Sequence, residues 1–243
     1  MKSPEIRVYL TPEDFPPPES LVGKTAVVID VLRAFSTAAC ALANGCQAII
    51  PVLSCAEAYE KASSFNNGRA VLGGERNGFK LENFDFGNSP LEYTRDLLAG
   101  KILIFTTTNG TRALLYCSQA SRVFTASLLS MESVCRQICE SDSDVAIFCA
   151  GTDGSFSLED AVCAGLMAEW LSKHSDTFEL SRSASEAINY SKQYKGDLLA
   201  MLMESEHGQY LKQHGFGDDL EFCSQLNAVP VVGEFKNGRI SRI

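Results

Sequence analysis

No apolar run in this 243-residue chain approaches the ~20 residues that a membrane-spanning helix needs, so no membrane partner is expected. The first ten residues, MKSPEIRVYL, carry charge without the apolar stretch of a signal peptide, which points to a cytoplasmic protein. A basic stripe is also missing. The formal charge is −9, and nucleic acid is therefore not an expected partner. No C-x-x-C pair occurs, and the nine cysteines are odd in number. Cys40, Cys46, Cys149 and Cys163 sit in apolar company, and Cys135 and Cys139 are spaced as neighbours on one helix face. Buried free thiols in a reducing compartment are expected, rather than a zinc site or a disulfide framework. Familiar phosphate-handling signatures are absent as well. Neither G-x-x-x-x-G-K-[ST] nor G-x-G-x-x-G is present, which removes the main support for a P-loop or a dinucleotide site. No cysteine has an arginine six positions later, and Asp142–Asp144 precedes its strand, the wrong side for an aspartyl-phosphate nucleophile.

What is present is a hydrophobic share of 45%, enough for a substantial core, and a repeated local pattern. Thr25–Ile29, TAVVI, is a continuous β-branched run that reads as a buried parallel strand ending on Asp30. A helix rich in small residues, Ala34–Gly45, follows it and stops at Asn44-Gly45. Lys101–Phe105 opens into TTTNGT and a helix; Val145–Cys149 opens into AGTDGSFSLEDA and a longer helix. Three strand–polar loop–helix units predict an α/β fold, with layered helices around a mostly parallel or mixed β-sheet. Right-handed crossovers would put the three loops at the carboxyl ends of their strands. The chain is read as a single domain, 1–243, or as two tightly packed lobes dividing near 120–140. Its end, with Asn237-Gly238 between two strand-like runs, predicts a C-terminal β-hairpin.

One stretch resists a periodic reading. Gly73–Pro90, GGERNGFKLENFDFGNSP, fits neither helix nor strand for long, yet holds Phe79, Phe84 and Phe86. Disordered segments are poor in aromatics, so an ordered, functional loop is expected here.

The strand ends and loops share one chemistry. Asp30, Glu75, Asp85 and Asp160 supply carboxylates; Asn88, Ser89, Thr107, Asn109 and Thr111 supply amide and hydroxyl oxygens; Arg33 and Arg76 are cations among them. Hard oxygen donors without a histidine or cysteine cluster suit Mg2+ better than zinc. Arginines among the acids suit an anionic oxyacid held by forked hydrogen bonds. TTTNGT entering a helix offers N–H groups and hydroxyls as a phosphate seat, with Gly110 allowing a tight turn. Each feature also has an ordinary structural reading: an ion pair for Asp30 and Arg33, a cap for TTTNGT, acids at a helix start for Glu159 and Asp160. His207 and His214 read as surface or locally bonded. Phosphoryl transfer or hydrolysis accommodates the whole set.

Four blocks, DVLRAFST (Asp30–Thr37), Gly73–Pro90, TTTNGTRAL (Thr106–Leu114) and CAGTDGSFSLEDAVCAGL (Cys149–Leu166), resemble the signature blocks of the 2-phosphosulfolactate phosphatase family, in the same order. The resemblance covers nearly the whole chain. It implies a Mg2+-dependent phosphatase that hydrolyses 2-phosphosulfolactate to sulfolactate and phosphate, a step of coenzyme M biosynthesis in methanogens. From their placement at strand ends and in the polar loop, Asp30, Glu75 and Asp85 are expected on the metal, and Asp30, Arg33, Glu75, Arg76 and Asp160 in catalysis. Arg33, Arg76, Asn88, Ser89, Thr107, Asn109, Gly110 and Thr111 are expected on a small anionic phosphorylated substrate. A non-catalytic binder of phosphorylated metabolites and a phosphoryl transferase stay open as alternatives, as does assembly into a homo-oligomer.

Overall fold

The computed structural model describes residues 3–65, 68–175 and 177–243. Its strands are β1 (Glu5–Tyr9), β2 (Thr25–Ile29), β3 (Ala48–Pro51), β4 (Ala70–Arg76), β5 (Phe79–Lys80), β6 (Ile102–Thr106), β7 (Arg122–Ala126), β8 (Val145–Cys149), β9 (Glu179–Leu180), β10 (Gly233–Lys236) and β11 (Arg239–Arg242). The helices are α1 (Ala34–Ala43), α2 (Cys55–Ser63), α3 (Arg95–Leu98), α4 (Gly110–Tyr116), α5 (Met131–Ile138), α6 (Leu158–His174), α7 (Arg182–Tyr194), α8 (Leu198–Glu204), α9 (Glu206–Gln213) and α10 (Gly217–Cys223). This is the expected α/β architecture, with a mixed sheet in the order β5-β4-β6-β3-β11-β10-β7-β2-β8-β1-β9. None of the described helices is long and apolar enough to cross a membrane.

β2 lies near the middle and shows why the sequence folds this way. All five of its residues are buried, because β7 and β8 flank it in parallel register and helices cover both faces. Val27 and Ile29 enter the apolar cluster under α5, α6 and α7, while Ala26 and Val28 enter the one under α1 and α4. Burying each Val or Ile side chain contributes about 1.5–3 kcal/mol. Across α6, Ser157 Oγ accepts the Asp160 N–H (3.3 Å) at the N-terminus, and Lys173 and His174 lie in the last turn, complementing the helix dipole.

The C-terminal hairpin forms as expected, with Asn237 and Gly238 both at positive φ (53° and 75°), the conformation of a type I′ turn. Its place in the sheet is not legible from local pattern. β10 pairs antiparallel with β7, and β11 antiparallel with β3, so the hairpin sits between two parallel blocks. Three successive antiparallel pairings make the block β3–β6–β4 run opposite to the block β7–β2–β8–β1. The sheet is thus mixed, and the three loops lie at the carboxyl ends of their strands as expected. Five pairing steps separate β6 from β2. At about 20–25° of twist per step they rotate the blocks by roughly 100–125°. The carboxyl ends of β2, β4, β6 and β8 meet because the sheet coils.

The stretch Gly73–Pro90 also differs from its reading as a loop. β4 runs on through Arg76, turns at Asn77-Gly78 (φ 52° and 79°) and returns as β5, with Glu75 opposite Lys80. Gly74 hides the strand in the sequence, yet the backbone requires it: a Cβ there would sit 2.1 Å from Thr106 O of the neighbouring strand. Phe84 and Phe86 then bury, and Phe86 bridges back to Gly73.

Candidate active site

The carboxyl ends of β2, β4, β6 and β8 and the helix α9 enclose a cavity of about 220 Å3. That volume accommodates a small metabolite. Asp30 lines it from β2, Glu75 from β4, Thr107, Thr108 and Asn109 from the β6–α4 turn, and Asp153 from the β8–α6 loop. Four carboxylates (Asp30, Glu75, Asp153 and Glu206) face one guanidinium, Arg33, a formal excess of three negative charges.

Asp30 follows directly on the buried strand, so its carboxyl cannot escape to solvent. Oδ1 accepts the Ala34 N–H (2.9 Å) at the start of α1, and the Gly110 N–H also points at the carboxylate. Burial, reinforced by Glu75 and Glu159 nearby, outweighs those two hydrogen bonds and pushes Asp30 up to about 7. Gly110 has to be glycine, since a Cβ would stand 2.6 Å from Asp30 Oδ2 and 2.8 Å from Ala34 Cβ.

Glu75 is held at three points. Oε1 accepts the Thr108 N–H (2.8 Å) and hydroxyl (3.0 Å), and Oε2 accepts the Gly78 N–H (2.8 Å). Its carboxylate therefore ties the β4–β5 turn to the β6–α4 turn. Arg76, one residue on, points to the opposite face of β4, as strand alternation requires. Its terminal nitrogens donate to Glu75 O (2.6 Å), Leu53 O (3.0 Å) and Thr106 Oγ1 (2.9 Å), outside the cavity. Asp85 is likewise elsewhere, exposed, with Oδ2 accepting the Leu72 N–H at 2.8 Å. The expected trio Asp30, Glu75 and Asp85 does not assemble around one point.

The β6–α4 turn departs from its reading as a phosphate seat. The Thr107 N–H donates to Thr111 Oγ1 (3.1 Å), the Thr111 N–H to Thr107 Oγ1 (3.1 Å), the Thr108 N–H to Glu75 and the Gly110 N–H to Asp30. Four of the amides offered to an anion are committed within the protein. Asn109 Oδ1 accepts the Asp153 N–H (3.2 Å) and faces the cavity; Gly110 and Thr111 lie buried behind the wall.

Arg33 is buried and its terminal nitrogens are engaged. Nη1 meets Asp219 Oδ2 of α10 at 2.6 Å, Nη2 donates to Gly78 O at 2.6 Å, and the guanidinium lies 4.1 Å from the centre of the Phe216 ring. Ser89 Oγ donates to the other Asp219 oxygen (2.5 Å). Arg33 and Ser89 thus anchor the C-terminal helices over the cavity. Asp160 sits below it, its oxygens accepting the Val31 (2.9 Å) and Gly151 (3.1 Å) N–H groups. Burial, then Asp30 and Glu159, push its carboxyl well up. Its visible work is to fix the loops after β2 and β8. Asn88 lines the cavity with a buried Oδ1 that finds no partner among the described residues.

Sequence reasoning missed three further wall residues, Glu206, His207 and Tyr210, which α9 carries. His214 is exposed and locally bonded as expected, Nδ1 lying 2.8 Å from Tyr210 O. His207, in contrast, is half-buried in the cavity wall. Ser205, whose hydroxyl caps α9 by accepting the Gly208 N–H (3.0 Å), is the local signal that starts this helix at Glu206.

The model of the 2-phosphosulpholactate phosphatase family matches residues 9–238. The chain belongs to that family. A relative from Symbiobacterium thermophilum, named a probable 2-phosphosulfolactate phosphatase, is 43% identical over 227 residues, 93% of this chain and 97% of its own. Another of the same name from Clostridium perfringens (strain SM101) is 40% identical over 232 residues, 95% of this chain and 93% of its own. A third, from Caldanaerobacter subterraneus, is 40% identical over 215 residues, 88% and 89% of the two chains. All four signature blocks lie inside the matched range, and they supply the wall and its supports on β2, β4, β6 and β8.

The donor set fits a hard divalent cation. Among the described residues no three His, Cys, Asp or Glu form a metal cluster. Mg2+ needs none, because it keeps several waters and takes one or two carboxylates together with substrate phosphate. Asp30, with its carboxyl held out of solvent, and the orphaned Asn88 oxygen are the groups in the wall that a cation would satisfy.

Proposed function

We propose that this protein is a Mg2+-dependent phosphatase of 2-phosphosulfolactate, or of a closely related phosphorylated 2-hydroxy acid with a second anionic group, releasing phosphate and the hydroxy acid. One observation carries the reading: the cavity is metabolite-sized and its wall is formally negative by three charges. A polyanionic substrate can be held against four carboxylates and one arginine only with a cation between them. Bound Mg2+ would neutralise that repulsion and polarise a phosphoryl oxygen. Asp30, Glu75 and Asn88, which line the same cavity, are the residues that would hold it.

The remaining work is positioning. Glu75 keeps the β4–β5 and β6–α4 turns in fixed relation. Asp160 immobilises the backbone next to Asp30 through Val31, and Arg33 keeps α10 closed over the site. In the net reaction the ester P–O bond breaks, a P–O bond forms to the oxygen of water, and the proton that the water gives up is balanced by the one that the departing alkoxide takes. Holding groups this rigidly lets the enzyme bind a developing charge without reorganising.

All nine cysteines are free thiols, which supports a reducing, cytoplasmic location. A product entering coenzyme M-type sulfonate metabolism follows from the proposed substrate. The test is phosphate release from 2-phosphosulfolactate by the purified protein, with EDTA and with Mg2+ restored. Binding without release would make it a metabolite binder; phosphate recovered on an added alcohol would make it a transferase.

A further inference from the structure

In the cavity wall, the terminal nitrogens of Arg33 are committed to Asp219 and Gly78 O, and both Thr108 donors to Glu75. Thr107 is paired with Thr111, the Gly78 N–H with Glu75, and the Tyr210 hydroxyl donates to Asn77 O at 3.0 Å. The side-chain amide nitrogens of Asn77, Asn88 and Asn109 and the Thr152 hydroxyl make no hydrogen bond among the described residues, and neither does His207, the one such donor that α9 carries. His207 lines this cavity and the adjoining one under Thr152–Ser157, and no group among the described residues hydrogen-bonds its ring.

We propose that His207 is the specificity-determining residue of this site, donating a hydrogen bond from α9 to the substrate's anionic group remote from the phosphate, a sulfonate or carboxylate. The proposal deepens the phosphatase reading and rests on it.

Three features support it. The ring is held in place: it stacks on Tyr210 (centroids 6.0 Å apart, planes 8° apart), which is itself tied to Asn77 O. The helix carrying it cannot drift, since a Cβ on Gly208 would meet Leu202 O at 1.7 Å, and the α8–α9 corner is closed to that limit. Burial, then Arg33, depress the imidazole below its usual value, and the opposing carboxylates Glu75, Asp153 and Glu206 do not reverse this. A neutral imidazole still presents one N–H. In a wall with excess negative charge, an uncommitted N–H on a fixed ring is what a second anion requires, because an anion's acceptor left unpaired costs most of the selectivity. The phosphoryl end has the cation; the remote end has His207.

The holoenzyme, with Mg2+, tests this through His207→Leu and His207→Gln. Two substrates are compared: 2-phosphosulfolactate, and isopropyl phosphate, a secondary alkyl monoester without a second anion. In the leucine variant the preference in kcat/KM for 2-phosphosulfolactate should fall roughly tenfold to a hundredfold, mainly through KM, as expected for one lost hydrogen bond to a charged group. Glutamine, which keeps a donor, should recover much of it. An equal loss of kcat on both substrates would overturn the proposal and make His207 a proton donor to the leaving oxygen; unchanged kinetics on both would overturn it outright. Calorimetric binding of sulfolactate and of lactate needs no turnover, and so separates this idea from the phosphatase reading. If the parent releases no phosphate but binds sulfolactate more tightly than the leucine variant does, His207 keeps its role and the hydrolytic reading fails. A loss confined to sulfolactate assigns the histidine to the sulfonate; a loss with both assigns it to the carboxylate. Equal binding by parent and variant refutes it.

Discussion

Raising the pH of the metal-free protein should make it easier to unfold, and Mg2+ should cancel much of that effect. Asp30 is 6% exposed, and burial lifts its carboxyl from 3.8 to about 7. Between these values the folded protein holds a proton that the unfolded chain has released, so stability falls as pH rises through the window. Below it both states are protonated and no penalty exists; above it the penalty is complete. At 1.36 kcal/mol per tenfold change in proton affinity, the full cost from Asp30 is on the order of 4 kcal/mol. Glu159 and Asp160 are raised by the same burial and act in the same direction. The assay is urea unfolding at intervals between about pH 5 and 8.5, with EDTA and with saturating Mg2+. The midpoint should fall toward alkaline pH in EDTA, and Mg2+ should raise it most at the alkaline end, where the carboxylate is ionised and ready to bind. Asp30→Asn should remove Asp30's share of the EDTA profile, leaving the shallower slope from Glu159 and Asp160, and abolish the Mg2+ response. A profile that is flat in EDTA, or a Mg2+ response unchanged in the asparagine variant, would refute the assignment of a buried, cation-binding carboxyl to Asp30.

Gly110→Ala forces a Cβ into Asp30 and should reduce phosphatase kcat/KM roughly a hundredfold, as about 1 Å of misplacement does; a rate within threefold of the parent would show that the pocket yields. Asp219→Asn leaves the Arg33 guanidinium buried with its charge uncompensated, and should cost about 3–5 kcal/mol in urea unfolding, against no more than ~1 kcal/mol if the pair behaved as a surface one. Thr111→Val strips the partner from the buried Thr107 N–H and should cost about 1–3 kcal/mol of stability with a smaller effect on rate. A hundredfold rate loss at unchanged melting temperature would instead return this turn to anion binding. Arg76→Lys should leave KM for the substrate nearly unchanged, because Arg76 faces away from the cavity; a tenfold rise in KM would put it on the substrate.

Much of the site was legible because it sits where strong local signals end. TAVVI can only be a strand buried on both faces, and the residue following it, Asp30, is delivered to the carboxyl edge whatever the sheet order. Asn237-Gly238 specified its own turn, and Ser54, whose hydroxyl accepts the Glu57 N–H, specified a helix start. Glu75 was visible as a carboxylate in a glycine-rich stretch, although its neighbour Arg76 was not separable from it: alternation sends the two to opposite faces, and only recognising β4 as a strand reveals that. What the sequence alone could not state are the pairings between distant parts of the chain. Arg33 and Asp219 are 186 residues apart, and no spacing rule joins them. His207 looks like any polar helical residue until α9 is laid across the sheet. The C-terminal hairpin is equally silent about its place between β3 and β7, where it reverses one half of the sheet against the other. Periodicity and turn chemistry act over a few residues and fix elements. Strand order, twist and the burial of one charge against another act across the whole chain, and they decided which of those elements meet.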